Sequence, residues 1–141
     1  MFTLALILNT LWFSMGFYTF SINHRVFAKV VVPRAQRDTP VFEILAESGR
    51  FLGGMNFAFA LCNLSLLLLP NLFPDAQQRA FLLFFFAVTH GSQFAFNVPV
   101  AMENRRGGGV WPVLKGTMLF IFVTDLLMTL VNAGIGIAYL L

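Results

Sequence analysis

The sequence predicts an all-α integral membrane protein, a four-helix transmembrane bundle of up-down topology with both termini outside. Hydrophobic residues make up 58% of the chain and charged residues only 11%, whereas about a quarter of the residues of a soluble protein are charged. Four apolar runs are each long enough for a helix to cross a bilayer, which takes about 20 residues. They cover residues 2–22, 51–69, 80–102 and 117–140. Residues 1–141 are therefore expected to form a single membrane domain.

The first run lacks the basic start and the small-residue cleavage site of a signal peptide, so we expect it to remain as a spanning helix. Asn9, Gly16 and Asn23 recur at seven-residue intervals and share one helix face. That face is predicted to pack against the other spans.

A polar segment, residues 23–50, precedes the second run. Thr39 followed by Pro40 is typical of a helix start, because threonine caps the first turn and proline has no N–H to satisfy there. We predict a helix that begins at Pro40 and continues into the second span. Glu47 and Arg50, three positions apart on it, predict a solvated ion pair.

Pairs of small residues four positions apart predict close helix packing in the second and fourth spans, since small side chains let helix backbones approach in lipid. They are Gly49 and Gly53, Gly54 and Ala58, and Gly134 and Ala138.

The third run is predicted to be central because it is the most polar. His90, Gln93 and Asn97 fall on one stripe of the helix. An unpaired polar group in hydrocarbon costs several kcal/mol, so this stripe must face other helices rather than lipid.

The basic residues predict the orientation of the chain. Eight of the nine lie in residues 23–50 and 103–116, and one lies in the turn between the second and third spans. Because cytoplasmic loops are enriched in Lys and Arg, both of these segments are predicted to be cytoplasmic. The net charge of +3 needs no nucleic-acid partner, since basic residues commonly flank spans beside anionic lipid headgroups.

Counting about 1.5 Å per residue inward from the span ends sorts the polar residues into two layers. The midplane cluster comprises His90, Gln93, Asp125, Asn56 and Ser14, together with Asn97, which lies on the same helix stripe as His90 and Gln93. The outer layer comprises Asn9, Asn63 and Asn132, whose carboxamides can satisfy one another's donors and acceptors.

Two interpretations of these layers stay open. In one, the polar side chains only hold the helices together. In the other they line a cavity, where His90 and Asp125 exchange a proton or orient a ligand. The apolar body of such a ligand is expected to lie against Phe86, Phe94 and Phe96.

Several chemistries are disfavoured. One cysteine, Cys62, excludes an intrachain disulfide and a cysteine-based metal site. His24 lies about 15 Å from the level of His90, so the two histidines of one chain are too far apart in depth to bind one haem as its axial ligands. Ser92 is two residues from His90 and therefore lies on a different face of the helix, which disfavours a Ser-His-Asp triad. We predict no metal site and identify no cofactor.

The expected function is that of a non-catalytic accessory subunit or a hydrophobic-ligand-binding protein. The alternative is a small membrane enzyme or a proton-coupled transporter that uses His90 and Asp125. The expected partners are the lipid bilayer, a hydrophobic small molecule, and a larger membrane complex or a homo-oligomer.

Overall fold

The computed structural model describes all residues, Met1–Leu141, and it contains helices and no strand. Its five α-helices are α1 (Phe2–Phe17), α2 (His24–Val31), α3 (Pro40–Leu68), α4 (Ala76–Arg105) and α5 (Gly116–Ala138). A π-helical turn, Tyr18–Ile22, extends α1. With that turn included, α1, α3, α4 and α5 are long and apolar enough to cross a membrane. The prediction of an all-helical chain with four long apolar helices is confirmed.

The second long helix, α3, begins at Pro40, as the sequence predicts. The Thr39 hydroxyl caps it by accepting a hydrogen bond from the Phe42 N–H at 3.4 Å. With 29 residues, α3 is roughly 43 Å long, which exceeds the roughly 30 Å of a hydrocarbon core. The predicted ion pair between Arg50 and Glu47 is present at 3.1 Å, and both side chains are largely exposed.

The four long helices pack as two pairs, α1 with α3 and α4 with α5. Helix α1 also contacts α4 and α5, so it joins the two pairs, whereas α3 and α4 make few contacts with each other. An apolar core lies toward the turn that connects α3 to α4, and it includes Leu6, Phe13, Leu66, Leu82 and Phe86. The helices are thus tied together near that turn.

Glycines bring α1 and α3 into close contact. Gly53 packs against the backbone and hydroxyl of Ser21, and Gly16 packs against the side chain of Asn56. No side chain fits at either glycine without displacing its neighbour. Gly16, on the predicted packing face of α1, therefore meets α3.

The small-residue prediction is wrong at two other positions. No atom beyond the nearby backbone of its own helix lies within 4 Å of the place where a Cβ on Gly54 or Gly134 would stand, so neither glycine packs against another helix. In α5 the close contact is made by Gly136, against the ring of Phe84. Spacing alone did not distinguish the packed glycine from its exposed neighbour.

Polar side chains are inside the protein and apolar ones cover its surface. The buried polar side chains are Asn9, Asn56, Asn63, His90, Asp125 and Asn132. Large apolar residues such as Phe51, Phe81 and Phe96 are exposed. This reverses the usual distribution of a soluble protein, in which charged and amide side chains are mostly at the surface.

Candidate functional site

Four buried side chains from three helices form a continuous chain of polar contacts, which we call the polar chain. Asn132 of α5 bonds to Asn9 of α1, Asn9 contacts His90 of α4, and His90 contacts Asp125 of α5. The first three residues are 0% exposed and Asp125 is 1% exposed. Because α1 supplies the central amide, the polar chain ties it to the α4–α5 pair.

The backbone carbonyl of Met128 sets the direction of the hydrogen bonds. It can only accept, so the nitrogen of the Asn132 amide is the atom that bonds to it, at 2.8 Å. The Asn132 oxygen then accepts from Asn9 Nδ2 at 2.8 Å, which turns the Asn9 oxygen toward His90. That oxygen lies 3.0 Å from His90 Nε2. Nε2 therefore carries a proton and donates to Asn9.

The other imidazole nitrogen, Nδ1, lies 3.3 Å from Asp125 Oδ1, which also accepts from the Trp12 indole N–H at 3.1 Å. Since Nε2 already carries a proton, a neutral imidazole has only a lone pair at Nδ1. A hydrogen bond to Asp125 then requires one more proton, carried either by Nδ1 or by the carboxyl group. The geometry thus gives His90 and Asp125 a place for one shared proton.

The second carboxyl oxygen of Asp125, Oδ2, is buried and has no hydrogen-bond partner within the protein. The nearby Thr129 hydroxyl donates to the Asp125 backbone carbonyl at 2.7 Å instead. A buried acceptor without a partner costs about 1–3 kcal/mol. A hydrogen-bond donor supplied from outside the chain would remove that cost.

Asp125 lines a cavity of about 760 Å³ between α3 and α4, which we call the apolar cavity. Fourteen of its 20 lining residues are hydrophobic, so most of an occupant's surface would contact apolar groups. Leu52, Met55 and Phe59 form the α3 wall, and Val88 and Phe96 belong to the α4 wall. Part of α2, residues 27 to 31, and the first half of α5 complete it.

Three residues of the predicted midplane cluster line this cavity but do not join the polar chain: Asn56, Gln93 and Asn97. Asn56 Nδ2 donates to the Leu52 carbonyl of its own helix at 2.8 Å. Asn97 Nδ2 donates to the Gln93 carbonyl at 2.9 Å, and Asn97 Oδ1 accepts from the Trp111 indole at 3.1 Å. Asn97 therefore holds the loop before α5 against α4.

Two predicted residues lie apart from this arrangement. Asn63 is buried, but its amide turns back to the Phe59 carbonyl at 2.8 Å and makes no hydrogen bond to Asn9 or Asn132. The outer layer is thus a bonded pair with a separate third amide. Ser14 is exposed on α1 and makes no hydrogen bond to His90 or Asp125.

The residues expected to contact a ligand body also differ from the expectation. Of the three phenylalanines, only Phe96 lines the apolar cavity. Phe86 belongs to the apolar core, and Phe94 stacks on Phe122 of α5 with ring centroids 4.6 Å apart. Helical spacing identified aromatic residues near His90, but their directions depend on how α4 packs against its neighbours.

Sequence reasoning missed Trp12 and Phe13. Trp12 donates to Asp125, and Phe13 stacks on the His90 ring with centroids 4.9 Å apart and an interplanar angle of 18°. A signal for Trp12 exists in the sequence, because it lies three residues after Asn9 on the same helix face. A buried indole usually finds an acceptor.

The arrangement has two notable chemical features: a buried carboxyl oxygen, Asp125 Oδ2, has no partner within the protein, and His90 Nδ1 lies within hydrogen-bond distance of Asp125 Oδ1. Comparison of the chain with protein-family models, curated proteins and solved structures finds no match.

Proposed function

We propose that the protein crosses the membrane as a four-helix bundle with both termini outside and with residues 23–50 and 103–116 in the cytoplasm. Four long apolar helices, an apolar surface and buried polar side chains support membrane insertion. The concentration of eight of nine basic residues in these two segments supports the orientation. In this orientation α1 and α4 run inward, and α3 and α5 run outward.

Within the membrane, we propose that the protein is a non-catalytic binding protein for a hydrophobic small molecule. The molecule occupies the apolar cavity and donates a hydrogen bond to Asp125 Oδ2. The observation that carries this proposal is an unpartnered, buried carboxyl oxygen on a residue that lines a mostly apolar cavity. Ligand sites commonly combine apolar walls with a small number of polar groups that orient the ligand.

The bilayer is the proposed source of the ligand. Val88 and Phe96 line the apolar cavity and are 70% and 81% exposed, so the cavity is open along its α4 side. In a membrane that side would face the acyl chains. A hydrophobic molecule dissolved in the bilayer can then reach the cavity without passing through water.

The experiment uses the protein purified in a mild detergent, with bound molecules extracted and detected by mass spectrometry. Ser92 lines the apolar cavity, so we expect Ser92→Trp to fill part of it and reduce the amount of co-purified molecule. Ser14→Trp is the matched control, because Ser14 is an exposed serine on α1 that does not line the cavity. Equal amounts of the same molecule in both variants and in the unchanged protein would rule out this cavity as the site.

A second candidate function is proton-coupled transport or membrane-embedded catalysis, and the 3.3 Å contact between His90 Nδ1 and Asp125 Oδ1 favours it. A carrier would need a proton held there to leave and return. In proteoliposomes with an imposed pH gradient, this candidate predicts faster proton movement with the unchanged protein than with Asp125→Asn. Equal rates would exclude Asp125 as a proton carrier under those conditions.

A further inference from the structure

A second cavity of about 590 Å³ adjoins the apolar cavity, and we call it the basic pocket. It lies between the end of α2, the loop of residues 107–112, and Leu114 and Lys115, which precede α5. Both cavities are lined by Val31, Val32 and Trp111, so these residues form the boundary between them. In the proposed orientation the basic pocket lies at the cytoplasmic surface of the membrane, at the level of the lipid headgroups.

The charged residues that line the basic pocket are Arg37 and Lys115, and no acidic residue lines it. Neither cation takes part in an ion pair. The Arg37 guanidinium is held in place, because its Nε donates to the Val32 carbonyl at 3.0 Å and its Nη2 to the Lys29 carbonyl at 2.6 Å. Its Nη1 makes no hydrogen bond within the protein and is available as a donor.

Lys115 precedes the first turn of α5, which begins at Gly116. No side chain caps this helix, so its first backbone N–H groups add partial positive charge beside the Lys115 ammonium. An arginine and a lysine therefore line the same cavity, and α5 begins directly after the lysine. An anion held there would form charge-assisted hydrogen bonds.

We propose that the ligand is an anionic amphiphile, with its carboxylate or phosphate in the basic pocket and its hydrocarbon chain in the apolar cavity. This inference rests on the proposed function of the apolar cavity. It also indicates the distance between the acid group of the ligand and its hydrogen-bond donor. Asp125 lies ten residues after Lys115, which corresponds to a helical rise of about 15 Å. A long-chain acid with a hydroxyl partway along its chain would bond at both ends of the site.

Trp111 provides the readout, since it lines both cavities. In lipid nanodiscs, a dibrominated stearic acid that enters the site is expected to quench Trp111 emission, and Trp111→Phe identifies the part of the signal that comes from this residue. Oleic acid, oleyl alcohol, ricinoleic acid and inorganic phosphate then compete with it. Oleyl alcohol lacks the acid of oleic acid, and ricinoleic acid adds a hydroxyl to its chain.

We expect oleic acid to displace the quencher at roughly tenfold lower concentration than oleyl alcohol, since a hydrogen bond to a charged group is stronger than one between neutral groups. Lys115→Gln should weaken the binding of oleic acid by a similar factor. Arg106→Gln is the matched control, because Arg106 is exposed in the same loop and lines neither cavity. Ricinoleic acid should bind more tightly than oleic acid, and Asp125→Asn should remove that advantage.

The other outcomes separate the two proposals. Equal displacement by oleic acid and oleyl alcohol, with no effect of Lys115→Gln, would overturn the anionic headgroup and leave the apolar cavity as a site for neutral molecules. Displacement by inorganic phosphate alone, at the concentration at which oleic acid acts, would indicate that the basic pocket binds a free anion. That result would contradict the proposal of an amphiphilic ligand. Absence of Trp111 quenching by the brominated acid would overturn the apolar cavity as a ligand site as well.

Discussion

The side-chain oxygen of Asn9 lies 3.0 Å from His90 Nε2 and determines which imidazole nitrogen donates. The same oxygen also accepts from Asn132 Nδ2 at 3.2 Å, so it is held by two donors. One amide on α1 thereby controls the protonation of a histidine on α4. The other nitrogen, Nδ1, faces Asp125 Oδ1.

The first prediction concerns this tautomer. In ¹H–¹⁵N spectra of the protein, His90 should show a protonated Nε2 whichever of the two groups, His90 or Asp125, carries the shared proton. His24→Gln assigns the signals, because His24 is the other of the two histidines. An unprotonated Nε2 in His90 would contradict the direction of hydrogen bonding that we assign to the polar chain.

The second prediction compares two buried asparagines. Asn9→Leu should lower the free energy of unfolding by roughly 2–5 kcal/mol, because it leaves His90 Nε2 and the Asn132 oxygen buried without partners. Asn63→Leu should change it by less than about 1 kcal/mol, since the Asn63 amide bonds only to a carbonyl of its own helix and its oxygen already lacks a partner.

Unfolding by a denaturing detergent, followed by circular dichroism, measures both variants under the same conditions. Similar losses of stability for Asn9→Leu and Asn63→Leu would show that the polar chain contributes no more than an isolated buried amide.

Much of the polar chain could be predicted from the sequence, because helical periodicity and span ends fix depth and face. His90 and Asp125 were expected near the same level, and their side chains lie 3.3 Å apart at the nearest atoms. Asn9 and Asn132 were likewise expected at one level, and they bond to each other. In both cases residues counted to a similar depth lie in contact, whereas the contact between Asn9 and His90 joins the two layers that the counting separated.

The parts that could not be predicted depend on distances between helices. Asn63 has the expected depth, but its amide bonds to its own helix, because the choice of rotamer depends on what lies opposite. The apolar cavity lies where α3 and α4 make few contacts, and no pattern within one helix carries that information. The basic pocket further depends on where the loop before α5 lies, which Asn97 and Trp111 fix by their hydrogen bond.

The third prediction uses neighbouring glycines of α3. Gly53→Ala should destabilise the protein, because its methyl group would press on the Ser21 backbone and separate α1 from α3. Gly54→Ala should be neutral or should stabilise the protein by up to about 1 kcal/mol, since alanine is the better helix former and no other helix lies within 4 Å of the added methyl group. Thermal denaturation in detergent compares the two variants. A more stable Gly53→Ala than Gly54→Ala would contradict the close packing of these two helices.

The fourth prediction tests the orientation in the membrane. A reporter enzyme that is active only outside the cytoplasm should be active when fused after Leu141, and a reporter that is active only in the cytoplasm should be inactive there. A fusion within residues 107–109 should give the opposite pattern, because that loop is proposed to be cytoplasmic. Cytoplasmic activity after Leu141 would reverse the orientation and place the basic pocket on the outer surface.

The last prediction separates the structural and ligand-binding roles of Asp125. Asp125→Leu removes the acceptor of Trp12 and the partner of His90 Nδ1, so we expect the free energy of unfolding to fall by roughly 2–5 kcal/mol. Asp125→Asn keeps an oxygen at the Oδ1 position, which accepts from the Trp12 indole and from a protonated His90 Nδ1. Its cost should therefore be closer to about 1 kcal/mol.

The asparagine variant then tests the ligand directly, because it is expected to fold. Its Nδ2 would stand where Oδ2 lies in the unchanged protein and would donate rather than accept, so a ligand that donates to Oδ2 should be lost. Mass spectrometry of the purified Asp125→Asn variant should show less of the co-purified molecule than the unchanged protein or Asn63→Leu. A stable variant that retains the full amount would show that Asp125 serves only to hold His90 and Trp12 in place.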